Sequence, residues 1–264
     1  MTDIELNIGV CIYCGDTRPP LTREHILPRG LGGNLAPTGR SAALVLQKAT
    51  CERCRLITSK IEDECLRRMM DYARARLGLK RKDRSKSTME MKLHRPDGTT
   101  ERREVDSSEV LGPVVIPSYY EAGVLTNKPI TDDTVPCDYH TIIVAPARGS
   151  IRNEPADASV EISADSKKFA QMLAKIALGM AVARFGVTGF VPTVRDLILN
   201  NATGYGHWVG GYASEKRREP PAAELHGVLL QTKQVSTGTF IIAEIRLFAA
   251  YGAPTNYVIV GRPL

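Results

Sequence analysis

The chain lacks what would place it in a membrane, in a secretory route or among disordered proteins. No stretch of the 264 residues approaches the roughly 18 consecutive apolar positions that a membrane span needs; the nearest, residues 170–187, is interrupted by Lys175 and Arg184. The opening MTDIELNIGV has no basic stretch leading into an apolar run, so no signal peptide is expected and a cytoplasmic setting is. Repeats and low-complexity tracts are absent. Cysteine is scarce, six in all, and four fall in two Cys-x-x-Cys pairs, leaving Cys65 and Cys137 without a partner by spacing. That usage argues for metal binding under reducing conditions rather than a disulfide framework. Neither sign of charge dominates: a formal net charge of +6 and an isoelectric point near 9.0 give only a mild bias toward polyanionic partners. A content of 43% hydrophobic and 24% charged residues is ordinary for a soluble globular chain. The length allows one large core or two modest ones, and two domains are expected, residues 1–86 and 87–264.

What is present is concentrated between residues 11 and 54. Two knuckles, Cys11/Cys14 and Cys51/Cys54, each aim two thiolates at one spot, and four thiolates at tetrahedral geometry are a preferred structural site for zinc. Four sulfur ligands close the coordination sphere, so this ion is expected to hold the fold together rather than to activate water. Between the knuckles stand Glu24 and His25, in a segment over 21–27 that reads as a strand stopped by Pro28 and the glycines after it. Residues 4–14 predict a short strand entering the first knuckle, with Gly15 at its turn. Residues 42–46 fit either a strand or the start of a short helix. From Cys51 onward Leu56, Ile57, Ile61, Cys65, Leu66 and Met69 recur at helical steps. Strand, turn, strand and helix, clasped by zinc at both ends, is the arrangement called ββα-metal.

In this order Cys11-Ile12-Tyr13-Cys14, Glu24-His25-Ile26-Leu27-Pro28, Gly32-Gly33 and Cys51-Glu52-Arg53-Cys54 resemble the HNH endonuclease family, in particular its bacterial zinc-containing branch. The resemblance covers about residues 8–66 and implies metal-dependent hydrolysis of DNA phosphodiester bonds. It implies that His25 is the general base and that Glu24 is a ligand of a catalytic Mg²⁺ or Mn²⁺ acting as Lewis acid. Adjacent strand residues point to opposite faces, so the pair needs a twist or bulge to serve one site. The family's orienting asparagine is not matched before the second knuckle, and Asn34 or Gln47 are the residues that could replace it. Where the family has an asparagine or histidine after the second knuckle, this chain has Arg55, which cannot ligate a cation but could bind the scissile phosphate. Glu62, two turns further along the same helix in the run Ser59-Lys60-Ile61-Glu62, is the candidate second metal ligand. The plainer alternatives are a hydrogen-bonded strand histidine for His25 and a surface carboxylate for Glu62.

Beyond the resemblance, Arg67, Arg68, Arg74, Arg76, Lys80, Arg81 and Lys82 form a basic series. Beside a nuclease module it would neutralise phosphates; otherwise it is a solvated helix face running into a linker. Residues 88–105 alternate around Pro96-Asp97-Gly98, a hairpin pattern, and residues 106–165 read as short strands and long loops. Asp165 or Ser166 caps a helix through KKFAQMLAKIALGMAVARF that Gly186 ends, and a shorter helix is expected over 194–200. GYGHWVGGY reads as a turn around the single tryptophan, Trp208. Three antiparallel strands are expected at 225–232, 239–248 and 256–261.

The expected fold class is therefore α+β: a zinc-stapled ββα-metal module, then an α+β domain with an antiparallel sheet and packed helices. Stand-alone bacterial HNH proteins are often restriction or anti-phage effectors, and that analogy gives DNA as partner and leaves the second domain to sense a protein partner or regulatory ligand. Two other readings stand beside it. One is a catalytically degenerate HNH-fold zinc protein that binds nucleic acid or protein, favoured by Arg55 and the unmatched asparagine. The other is a chain whose second domain does the work while the zinc module docks.

Overall fold

The computed structural model describes residues 4–18, 20–32, 44–79, 88–106, 112–132, 137–144, 157–212 and 221–264. In the first sheet β1 (Ile4–Asn7) runs parallel to β3 (Leu44–Cys51), and β2 (Leu21–His25) runs antiparallel to β3 on its other side. β2 ends at His25, short of the expected 21–27, where the chain bends into Pro28 and a 3₁₀ turn over Arg29–Leu31. Proline has no N–H to continue a strand ladder. Of the alternatives left open at residues 42–46, the described part, Leu44–Leu46, is strand: β3 runs without a break into α1 (Glu52–Glu64), with Cys51 at the helix N-cap. Thr22 pairs with Thr50 but Glu24 pairs with Leu46, so β3 bulges between them, and Lys48 in the bulge takes a φ of 51°. α1 gives way to a π-helical stretch, Cys65–Met69, and then to α2 (Asp71–Arg76), which keeps Cys65, Leu66, Met69, Met70 and Ala73 buried.

β4 (Thr88–His94) and β5 (Thr100–Asp106) form the expected hairpin, and Gly98 sits in its turn at a φ of 85°. β6 (Pro113–Tyr119) is followed by α3 (Gly123–Thr126) and pairs with β7 (Cys137–Ile143), while β8 (Asp157–Ser159) joins β4. α4 (Ser166–Phe185) begins at Asp165, whose carboxylate accepts the Lys168 N–H, and ends at Gly186. Short elements follow: β9 (Phe190–Pro192), α5 (Arg195–Ile198, shorter than the 194–200 expected), α6 (Tyr205–Trp208) and β10 (Val209–Gly211). β11 (His226–Val235), β12 (Gly238–Leu247) and β13 (Asn256–Pro263) are the three expected antiparallel strands, in the sheet order β10-β13-β12-β11 with β9 also on β13.

α4 organises the packing. Phe169, Met172, Leu173, Ile176 and Ala177 are all fully buried, and the helix contacts α1 on one side and β12 and β13 on the other. One hydrophobic cluster runs across the sequence position 86/87: Ile26, Leu27 and Ile61 belong to it together with Phe169, Leu173, Ile176 and Val258. Gly179 permits the close approach, since a Cβ there would stand 3.1 Å from Ile26 Cγ1. The fold is mixed α+β with antiparallel sheets, and no described helix is long and apolar enough to cross a membrane.

Candidate functional site

Cys11 and Cys14 lie in the turn after β1, and Cys51 and Cys54 where β3 passes into α1. Their four Sγ atoms lie within 4.8 Å of one another, with Cys14 and Cys51 3.7 Å apart. Ligands bound at 2.3 Å in a tetrahedron are about 3.8 Å from each other, so the cluster can hold a metal ion such as zinc with little rearrangement. The first knuckle closes because Gly15, at a φ of 78°, brings its N–H to 2.8 Å from the Cys11 carbonyl. It is also tied to the other end of the chain: Arg195 Nε donates to the Ile12 carbonyl at 2.7 Å.

Beside this cluster a cleft of about 430 Å³ is lined by Glu24, His25, Arg55 and Glu62, with Arg23 and Arg29 on its wall. The bulge in β3 lets both neighbours on β2 reach it, Glu24 buried and His25 half-buried. Burial, then the charges of Arg29, Arg23 and Lys175, lower the His25 pKa from its ordinary value, so the imidazole is neutral at pH 7. Its ring meets no hydrogen-bond partner among the described residues, which leaves it able to accept a proton. Arg55 sits at the edge, held by Glu52 through two hydrogen bonds of 2.7 and 2.6 Å.

No family model, characterised protein or solved structure matches this chain. The HNH resemblance therefore stands on the motif residues alone.

Behind the carboxylates that line the cleft lies a residue that those motifs do not contain. Lys175, in the middle of α4 and 1% exposed, extends its ammonium to Glu24 Oε1 at 2.6 Å and to Glu62 Oε1 at 2.7 Å. Its third donor goes to the His25 carbonyl at 2.7 Å. Burial disfavours the charged lysine, but Glu24 and Glu62 outweigh it and hold its pKa above the ordinary value. Burial likewise raises the Glu62 pKa, with Lys175 pulling the other way. Thr50 Oγ1 donates to the second Glu24 oxygen at 2.9 Å. The Tyr13 hydroxyl, from the first knuckle, is buried near these carboxylates, and burial and then the charges of Glu24 and Glu62 raise its pKa well above the ordinary value. The carboxylates expected to share a divalent cation are thus brought together around an ammonium. Two unit charges about 4 Å apart repel by about 4 kcal/mol near a protein surface, and a divalent ion beside Lys175 would double that. As arranged, these residues do not fit a catalytic Mg²⁺ or Mn²⁺.

The basic series does not form one face. Arg67 pairs with Asp63 at 3.7 Å and Arg68 with Glu64 at 2.8 Å, both on the surface. Arg74 is buried and points inward: Nε donates to the Gly30 carbonyl at 2.7 Å and Nη1 to that of Leu66 at 3.0 Å. Arg76 is half-buried, its stem packed where a Cβ on Gly112 would fall. Lys80, Arg81 and Lys82 lie outside the described residues, as does Asn34. Gln47 does not line the cleft.

Sequence reasoning did not single out Lys175, Thr50, Arg23 or Arg29. For Lys175 a signal existed: a lone cation in the apolar run FAQMLAKIALGMAV must find a counter-charge once the helix is buried. Which counter-charge is not written in its neighbours.

Proposed function

We propose that this cleft binds nucleic-acid phosphodiesters and hydrolyses them with His25 as general base. The observation that carries the reading is a neutral imidazole whose ring has no hydrogen-bond partner among the described residues, in an arginine-walled cleft next to the carboxylates that the HNH resemblance assigns. His25 takes a proton from water as the water oxygen attacks phosphorus, the bond from phosphorus to one sugar oxygen breaks, and that leaving oxygen takes a proton from solvent. Arg55, with Arg23 and Arg29, supplies positive charge to the phosphate oxygens, whose negative charge grows in the transition state. Zinc in the four-cysteine cluster holds the first knuckle and the start of α1 together and takes no part in the chemistry. Supporting an HNH-type module are the order β2, β3, α1 and the position of the cysteines at its ends.

A second reading, favoured by Lys175 on both carboxylates, is a nucleic-acid binding module that no longer cuts. Cleavage of plasmid DNA and of labelled single-stranded DNA and RNA by wild type and His25→Ala, with filter binding alongside, separates the two. Under the hydrolase reading His25→Ala loses about 100-fold or more in rate and keeps its affinity. Binding without cleavage in wild type selects the module, and neither binding nor cleavage overturns both.

A further inference from the structure

We propose that Lys175 is the resident cation of the cleft: it takes the place between Glu24 and Glu62 that a divalent ion would need, so the site meets its anionic ligand without a second metal. An ammonium has three donors, and all three are used, on Glu24, Glu62 and the His25 carbonyl. None is left to turn toward a ligand, so Lys175 is a positioning residue. It fixes the backbone of the proposed base through the His25 carbonyl and neutralises the carboxylates behind it.

The cation cannot be withdrawn by a side-chain movement. Lys175 is anchored at mid-helix between Phe169, Met172, Leu173 and Ile176, each fully buried, and α4 is pressed onto Ile26 at Gly179. A rotamer that took the ammonium out of the cluster with α4 in place would leave it buried among these apolar side chains without a counter-charge. On the Glu24 side the remaining oxygen is already taken by Thr50. A divalent ion would find both oxygens of Glu24 already hydrogen-bonded, Glu62 shared with Lys175 and a positive charge between them. The positive field at the cleft wall then comes from Arg23, Arg29 and Arg55, which approach the ligand from the solvent side.

This inference concerns the same cleft as the proposed hydrolysis but is read by metal binding, so it stands or falls whether or not the protein cuts. Mn²⁺ is titrated into the purified full chain at fixed ionic strength, and bound ion is counted from the loss of the free Mn²⁺ electron paramagnetic resonance signal. Wild type and Glu24→Gln are expected to bind the same amount. Lys175→Ala is expected to gain one Mn²⁺ per chain over wild type at the same free concentration, and Lys175→Ala with Glu24→Gln to lose it again. If wild type binds one Mn²⁺ more than Glu24→Gln, the proposal is overturned. The wild-type comparison decides even if Lys175→Ala fails to fold.

Discussion

The four-cysteine cluster and the Glu24–Lys175–Glu62 cluster share one helix, α1, which carries both Cys54 and Glu62, and solve one electrostatic problem in opposite ways. Cys51 ends β3 and Thr50, the residue before it, already serves Glu24. Four thiolates gathered within 4.8 Å repel one another unless a cation from outside joins them. The two carboxylates gathered next to them receive their cation from inside the chain, on a helix that belongs to the core. Clusters of anionic ligands in one module thus need not all be metal sites. What distinguishes them is whether the surrounding fold delivers a positive group.

The comparison breaks most visibly at the cysteines. Cys51→Ser should remove the metal ion counted by elemental analysis and abolish hydrogen-exchange protection in β1, β2, β3 and α1. A structural zinc in a small module contributes on the order of 10 kcal/mol, comparable to a domain's whole stability. Full protection in the variant would show that packing against α4 alone holds the knuckles.

The carboxylate cluster should answer to its own cation instead. Lys175→Met leaves two carboxylates without their cation, and breaking a buried pair in this way costs about 3–5 kcal/mol in urea denaturation. Adding Glu24→Gln and Glu62→Gln to that variant should restore most of the loss. A single-variant loss below about 1 kcal/mol would mean that water already reaches and screens the cluster.

A smaller effect comes from a third long-range tie, which carries no net charge at all. His226, 2% exposed, reaches the Leu31 carbonyl through Nε2 at 3.0 Å and accepts the Phe248 N–H on Nδ1 at 3.0 Å. Burial lowers its pKa from 6.5 to about 4. The unfolded chain therefore takes up this proton near pH 6.5 and the folded chain only near 4. The stabilisation is complete above 6.5 and is lost as the pH falls toward 4, by about 3 kcal/mol. Unfolding free energies from urea denaturation at pH 7 and pH 4.5 should differ by about that much less in His226→Gln than in wild type. An equal pH dependence in both would remove His226 as the source.

Several features were readable along the chain because their causes lie within a few residues. The two knuckles follow from paired cysteines two residues apart and a glycine at the turn. The α4 boundaries follow from an Asp165 cap and Gly186, and the β4–β5 turn from Gly98. Other features could not be read because a side chain's partner is distant. Arg74, expected in a phosphate-binding series, is buried with its donors on the Gly30 and Leu66 carbonyls and lines the cleft from there. Glu24 and Glu62 were expected to share an added ion; the structure brings them together around Lys175, and nothing near them in sequence announces a lysine from α4.

By itself the sequence determined the α+β character, the cysteine pairs, the strand that carries Glu24 and His25 and the helix that follows the second knuckle. These depend on backbone geometry, capping and periodicity, which act over one turn or one strand. Only the tertiary structure decided that Lys175 neutralises the two carboxylates, that Arg195 and His226 tie the C-terminal half to the knuckle and to Leu31, and that the core is shared across residue 86. A buried charge must be paired, but which partner it meets is set by how helices and sheets pack, and that information lies in no local stretch of the chain.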